Sequence, residues 1–220
     1  MTNATKKRAA ASEHFFARCA FSLRAFILSI VRRILLIILL LLAVLLAVGL
    51  YFGNEYWIHR FDGMIEKQAT IYRLDPKLVW SVIHEETYFS PWKLGAAKEV
   101  GLMQITPTVA REWAQETGIK DFEQQIEQDR VEFLRDPERN IQIGCWYLEK
   151  LNERYRDSPA PEARTLAAYN AGASRVAEWT RVSENAPPLE ENEFVKRIDI
   201  STTRSYVTEI LKRWRSQKKQ

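Results

Sequence analysis

At 220 residues, with 46% hydrophobic and 27% charged side chains, the chain is long enough for one packed domain plus an appendage and too apolar to be disordered. The net charge of +4 is unevenly placed: residues 1–33 hold seven basic residues against Glu13 alone, while the remainder holds 25 basic and 27 acidic residues, a net of −2. A folded domain without excess positive charge excludes the usual electrostatic basis for nucleic-acid binding. Two cysteines, with no Cys/His cluster at ligand spacing, exclude a disulfide framework and give no metal site.

Chain order begins with the basic head, residues 1–33, followed by an uncharged apolar run over residues 34–52. About 20 apolar residues at 1.5 Å rise span a hydrocarbon core of roughly 30 Å. A soluble core helix would carry a polar face, and this run has none. Arg32 and Arg33 stand at its leading edge and Asn54, Glu55 and Tyr56 follow it. The positive-inside rule therefore puts the N-terminus in the cytoplasm and the rest outside the cytoplasmic membrane, with Tyr51, Tyr56 and Trp57 at the outer interface. Cys19 and Cys145 then fall on opposite sides, and Cys145 reads as a small buried apolar residue. Cleavage near Ala47-Val48-Gly49, as in a signal peptide, is the competing reading; the long head and long run favour an uncleaved anchor. Residues 53–62 read as a linker reaching on the order of 35 Å if extended.

The remainder, residues 63–216, reads as one mostly helical domain without repeats or strand alternation. Asp75-Pro76, Thr106-Pro107 and Asp136-Pro137 each pair an N-cap with proline at the first helical position. Gly118 closes the second of these helices, and the third carries Ile141, Cys145, Leu148 and Leu151. A helix over Leu166–Ala171 stops at Gly172, and Ser174 caps a short one through Trp179. Ser183–Asn192, with Pro187-Pro188, reads as a loop, and a last helix runs from about Thr202 to Trp214. The basic residues at its end, Lys212, Arg213, Arg215, Lys218 and Lys219, are either a solvated tail or a contact for anionic headgroups.

One carboxylate is out of place. Val79, Val82, Ile83 and Glu86 follow i, i+3, i+4, i+7, so Glu86 falls within an apolar stripe, whereas Glu85 lies a quarter-turn away and His84 on the far side. A carboxyl stripped of water keeps its proton to higher pH, which glycosidic cleavage requires of its acid. The same position also suits a helix end turning into solvent, or a buried partner for an arginine. Gly101-Leu102-Met103-Gln104 forms a loop whose glycine permits close approach to a ligand and whose Gln104 suits a sugar hydroxyl or acetamide. Ala168-Tyr169-Asn170-Ala171-Gly172 ends a helix with two residues able to line a cleft. All seven tryptophans follow the apolar run, and most read as core.

Taken in order, five segments resemble the catalytic domain of the soluble lytic transglycosylase family, lysozyme-like enzymes of bacterial cell-wall turnover. They are Glu86-Thr87-Tyr88-Phe89-Ser90-Pro91, Gly101 to Pro107, Asn140-Ile141 with Gly144 and Tyr147-Leu148, Ala168 to Gly172 with Arg175-Val176 and Trp179, and Thr203-Arg204-Ser205-Tyr206-Val207. The resemblance covers about residues 65–212. It departs from the family at Thr87, where serine is usual, at Lys98-Glu99, where Gly-Ala is common, and at Thr202, where glutamate is common. Glu99 sets a second carboxylate near the cleft.

The resemblance implies a mostly α, lysozyme-like α+β superfold and makes Glu86 the catalytic acid/base. It places Thr87, Ser90, Gly101, Leu102, Met103, Gln104, Tyr147, Tyr169, Asn170 and Tyr206 along the glycan cleft. It further implies that Glu86 protonates the oxygen between N-acetylmuramic acid and N-acetylglucosamine in peptidoglycan. Glu86 then takes the proton of the muramoyl C6 hydroxyl, leaving a 1,6-anhydro ring. One residue serves both steps, so neither metal nor cofactor is implied. The near alternative is a goose-type-lysozyme-like muramidase using water and a second carboxylate, for which Glu99 is the candidate. The alternative from another class is a non-catalytic, membrane-tethered glycan-binding module, which has no use for a buried acid. Cell-wall synthesis proteins are candidate partners, with no residue assigned to them.

Overall fold

In the computed structural model, three helices begin where an acceptor side chain precedes proline. The structure describes residues 3–118, 131–181 and 187–219, with side chains from residue 28. The chain divides into two units, Met1–Tyr56 and Trp57–Gln220.

Helix α1 runs Asn3–His59. It contains the only helix among the described residues long and apolar enough to cross a membrane. Leu and Ile side chains of the run are exposed all round, so no other described residue buries them. Helical backbone continues through Gly53–His59. The stretch expected to be an extended linker is therefore mostly helix and advances about 1.5 Å per residue. No proline interrupts it, and single glycines weaken a helix by only about 1 kcal/mol.

The second unit is helical throughout: α2 (Asp62–Ile71), α3 (Pro76–Thr87), α4 (Pro107–Thr117), α5 (Pro137–Tyr155), α6 (Pro161–Ala171), α7 (Ala173–Trp179), α8 (Glu191–Arg197) and α9 (Ser201–Gln217). Asp75 accepts from the Lys77 amide at 2.9 Å, Thr106 from Val109 at 3.2 Å and Asp136 from Arg139 at 2.8 Å, satisfying the first free N–H groups of α3, α4 and α5. Helix α6 starts at Pro161, ahead of the expected Leu166, because Pro161 opens it without a side-chain cap. Ser174 lies inside α7, which also lacks a side-chain cap. Of the stretch expected as a loop, residues 182–186 lie outside the described residues and Pro187–Glu190 is irregular. Glu191 opens α8, which periodicity missed because it is only about two turns long and carries one buried residue, Phe194.

Helix α6 is the centre. Ala163, Leu166, Ala167 and Ala168 are fully buried, and α5, α7, α8 and α9 pack against it. Small residues let those neighbours approach closely. Among the described residues the only β pairing is two isolated bridges, Leu94 with Val100 and Val100 with Ile105. Cys145 is buried and free, as expected. The basic end of α9 is not an open set of charges. Arg213 pairs with Glu85, Arg215 with Glu191, Lys212 with Glu209 and Lys218 with Asp75. Glu209 is an i,i+3 neighbour on α9 itself, whereas the other three carboxylates come from α3, α8 and the α3 cap, which sequence spacing does not bring to α9. His84, expected on a far face, is half-buried between Trp80, Tyr88 and Phe89.

Bridging the first two thirds of this unit is a fully buried amide. Asn140, at the start of α5, accepts from the Met103 N–H at 2.7 Å. It also donates to Val100 O at 2.8 Å and Leu134 O at 2.7 Å. It thereby fixes residues 100–104. Gly101 has φ +80°, and a Cβ there would meet Asn140 Nδ2 at 2.3 Å. The close approach that this glycine permits is thus to Asn140, not to a ligand. On α5, a Cβ at Gly144 would meet Met103 Sδ at 2.2 Å, so Gly144 makes room for Met103.

Asn140→Ala removes the partner of the Leu134 carbonyl and of the Met103 N–H in the core, while the Val100 carbonyl keeps the Ile105 N–H at 3.0 Å. At about 1–3 kcal/mol per orphaned group, the expected loss is about 2 kcal/mol or more. Urea unfolding of the full chain in detergent reads it, and a loss below about 1 kcal/mol contradicts this account.

Candidate active site

Helix α3 ends in a tightly braced turn. Its C-cap Tyr88 is left-handed at φ 50°, ψ 46°, and Phe89 follows at φ 61°. Two consecutive non-glycine residues there cost on the order of 1–3 kcal/mol each and need outside support. Trp57 Nε1 donates to Tyr88 O at 2.8 Å, Arg60 Nη2 donates to Phe89 O at 2.6 Å, and the Phe89 ring is fully buried.

Glu86 sits one residue before that end, on the stripe of Val79, Val82 and Ile83, all fully buried. Tyr206 of α9 donates its hydroxyl to Glu86 Oε1 at 2.8 Å. The Lys93 ammonium donates to the Glu86 backbone carbonyl. Desolvation pushes the carboxyl up to about 7; the Tyr206 hydrogen bond and the Lys93 charge pull it down, and Glu99 and Glu85 push it up. By surface area Glu86 is only half-buried. Hydration at the carboxyl oxygens, however, is set by the surrounding protein rather than by the exposed edge, and that environment is largely dry. Near neutral pH the group is therefore divided between acid and base.

Glu85 has a different fate. Arg213 Nη1 donates to its Oε2 at 3.1 Å, with both side chains largely covered. The arginine partner considered for Glu86 belongs to its neighbour.

The loop of residues 101–104 faces the same helix end. Thr87 Oγ1 donates to Leu102 O at 3.0 Å and to Ile83 O at 3.3 Å. Thr87 is buried and ties α3 to the loop. Leu102 and Met103 are fully buried, so their side chains belong to the core and only their backbone faces other groups. Tyr169 Oη donates to Met103 O at 2.8 Å. Gln104, at φ 50°, folds its Nε2 back onto Gly101 O at 2.9 Å and Lys93 O at 3.3 Å. Tyr147 is half-buried, its ring 5.5 Å from that of Tyr169. Asn170 is exposed at the end of α6 and accepts from Thr203 Oγ1 at 2.7 Å. Ser90 lies in the turn after α3, its N–H on Thr87 O at 3.2 Å. Burial raises the Tyr169 and Tyr206 phenols well above their ordinary range, so both remain neutral hydrogen-bond donors.

Glu86, Tyr206, Tyr169, Tyr147 and the 101–104 backbone are thus linked through four separate helices. Glu99 Oε2 accepts from the Ala97 N–H at 2.8 Å, and its charge reaches Glu86. Sequence reasoning missed Lys93 and treated Asn140 only as the start of a motif. Lys93 leaves no signal in periodicity, whereas Asn140 is a polar residue beside Ile141 on a buried stripe. The described residues hold no group of His, Cys, Asp and Glu suited to a metal. A cavity of about 560 Å³ lies elsewhere, walled by Ile58, Ile65, Trp80 and Lys77. It contains none of these groups, so the chemistry, and not the volume, places the site at Glu86.

Comparison with known proteins identifies the family of the chain. The model of the family described as Transglycosylase SLT domain matches residues 63–191. Membrane-bound lytic murein transglycosylase F of Desulfosudis oleivorans is 33% identical over 129 residues, covering 57% of this chain and 25% of that protein. A putative soluble lytic murein transglycosylase of Haemophilus influenzae is 35% identical over 133 residues, covering 60% and 20%. The chain therefore spans no more than a quarter of the length of these relatives. An inactive mutant of lytic transglycosylase Slt from Pseudomonas aeruginosa shares the fold at TM-score 0.59 and 21% identity, over 72% of this chain and 24% of that one.

Glu86 is held in an environment that suits its protonated form, which makes stability depend on pH. The folded state binds the extra proton between 4.5 and about 7, so its contribution is present below 4.5 and lost as pH rises through 7. Glu86→Gln should match the parent at pH 4 and exceed it above pH 7 by on the order of 3 kcal/mol. Equal melting of the two proteins at pH 8 contradicts the burial argument.

Proposed function

We propose a function from one premise: the chain belongs to the transglycosylase SLT domain family, whose model covers residues 63–191. On that premise it is a membrane-anchored enzyme that cleaves peptidoglycan between N-acetylmuramic acid and N-acetylglucosamine and leaves 1,6-anhydro ends. The observation that carries the reading is Glu86, whose carboxyl is pushed up to about 7 and grips the Tyr206 hydroxyl. At that value it can give a proton to the glycosidic oxygen and then act as the base. The proton passes to the leaving N-acetylglucosamine O4, the C1–O bond breaks, and positive charge develops at C1. Glu86, now ionised, removes the C6 hydroxyl proton and that oxygen bonds to C1. Tyr206 stabilises the ionised stage by hydrogen bonding, which limits how far desolvation raises the carboxyl. The backbone of 101–104 and the Gln104 side chain, with Tyr147, Tyr169 and Asn170, are the proposed glycan contacts.

Glu99 supports a second reading. Its carboxylate is near enough to raise the Glu86 carboxyl, and a second carboxylate near the acid is the group that activates water in an inverting hydrolase. Mass spectrometry of products from purified wall separates the two. Anhydro-muropeptides are expected, and reducing ends in their place establish the hydrolase. Glu86→Gln should lose at least about a thousandfold in turnover, in line with removal of an essential acid/base, while Glu85→Gln keeps most activity. The reverse order overturns the assignment.

Residues 34–52 are proposed as a single span of the cytoplasmic membrane, with the +6 head inside and the catalytic unit outside, where peptidoglycan lies. The apolar length of α1 and the relative named as membrane-bound support this. Protease added to intact spheroplasts should remove the outer unit and spare an N-terminal fragment. Complete protection refutes the orientation, and spontaneous release of a soluble domain starting near Leu50 favours a cleaved signal peptide.

A further inference from the structure

Of the seven tryptophans, Trp113, Trp146, Trp179 and Trp214 are buried and Trp57 and Trp80 are half-buried against the core. Trp92 is 61% exposed. It stands between Tyr88, 45% exposed, and Leu94, 53% exposed. From Trp57 onward the only other described large hydrophobic residues so exposed are Met64 and Ile71. Three such residues within one seven-residue turn are not the scattered apolar residues of an ordinary surface.

This turn is rigidly mounted. Its backbone carbonyls at Tyr88 and Phe89 are held by Trp57 and Arg60. The Arg60 guanidinium lies 3.3 Å over the Trp57 ring, and the Trp57 and Trp92 rings are 6.3 Å apart. Lys93 and Lys98, both exposed, add positive charge. Indole, phenol and lysine together are the residue set of the lipid headgroup layer, where rings lie at the boundary and cations meet anionic phosphates. Trp57 follows Phe52, the last residue of the apolar run, by five positions. The patch is thus built on the residue by which the chain enters the domain.

We propose that Tyr88, Trp92 and Leu94 seat in the headgroup region of an anionic bilayer, with Lys98 and the remaining N–H groups of Lys93 directed at lipid phosphates. A sugar ring is the other partner that an exposed indole suits. Leu94, the flanking lysines and the link to Trp57 favour lipid. The inference rests on residues 34–52 being a membrane span. Its consequence is local to the site: Lys93, which holds the Glu86 backbone carbonyl, would lie at the bilayer surface, so that the enzyme works on glycan lying against the membrane.

The test uses the full chain with Cys19→Ala and Trp92→Cys, labelled with a thiol-reactive, environment-sensitive fluorophore. Cys145 stays unlabelled, since it is buried and its thiol is pushed up to about 12. The protein is reconstituted in phosphatidylethanolamine–phosphatidylglycerol vesicles brominated either near the headgroups or at the acyl-chain ends. Flotation with the vesicles reads the anchor separately, and a melting temperature like the parent's establishes the fold. Shallow bromine should quench the label, deep bromine should not, and replacing phosphatidylglycerol by phosphatidylcholine should reduce the quenching. A floating protein whose label neither bromine quenches overturns the seating while leaving the anchor intact. Protein that does not float overturns both. A label blind to bromine that responds to added wall glycan assigns the patch to the sugar.

Discussion

A carboxyl deprived of water but given one neutral donor is the constraint on which the rest of this domain depends. Desolvation alone would hold Glu86 protonated and make it a poor base. A cationic partner would hold it ionised and make it a poor acid; Arg213 is paired instead with the neighbouring Glu85. Tyr206, itself locked in neutral form by burial, gives a single hydrogen bond and no charge. Two adjacent glutamates on one helix therefore differ in burial and in partner, both partners being supplied by α9.

This arrangement requires α9 to be placed accurately against α3, and the structure does so from two directions. At one end of α9, Thr203 donates to Asn170 of α6. At the other, Trp214 Nε1 donates to Asp75 at 2.8 Å, the residue that also caps α3. Asp75 thus starts the helix carrying Glu86 and pins the far end of the helix carrying Tyr206. The 101–104 loop is held as firmly, by Thr87, Asn140 and Tyr169. Most of the motif residues consequently act on the site by bonding to one another.

That explains how much was legible in the sequence. Asp75-Pro76, Thr106-Pro107 and Asp136-Pro137 are local signals, and all three open helices as read. The stripe through Glu86 is also local, and it separated Glu86 from Glu85 before any fold was known. What escaped was non-local or short. Three of the four ion pairs at the α9 basic end reach carboxylates distant in the chain, Glu85, Glu191 and Asp75. Helix α8 has too few residues for a period. The roles of Gly101 and Gly144 were misread or left open because what crowds them is an Asn and a Met from elsewhere in the chain. The linker failed for another reason: an apolar-to-polar change in composition marks a boundary of environment, not of backbone, and α1 continues through it.

Backbone strain follows the same logic. Tyr88, Phe89, Lys98 and Gln104 all have positive φ, and all belong to the turns around Glu86. Phe89 must turn back from α3 to bury its ring, and Gln104 must fold onto Gly101 O and Lys93 O. Residues in such conformations relax unless neighbours over-determine them. Here Trp57, Arg60 and Lys93 provide that restraint, and two of these three lie in the first four residues of the unit. The segment by which the chain enters the domain therefore forms part of the support for the turn that follows Glu86, and cannot be treated as a passive tether.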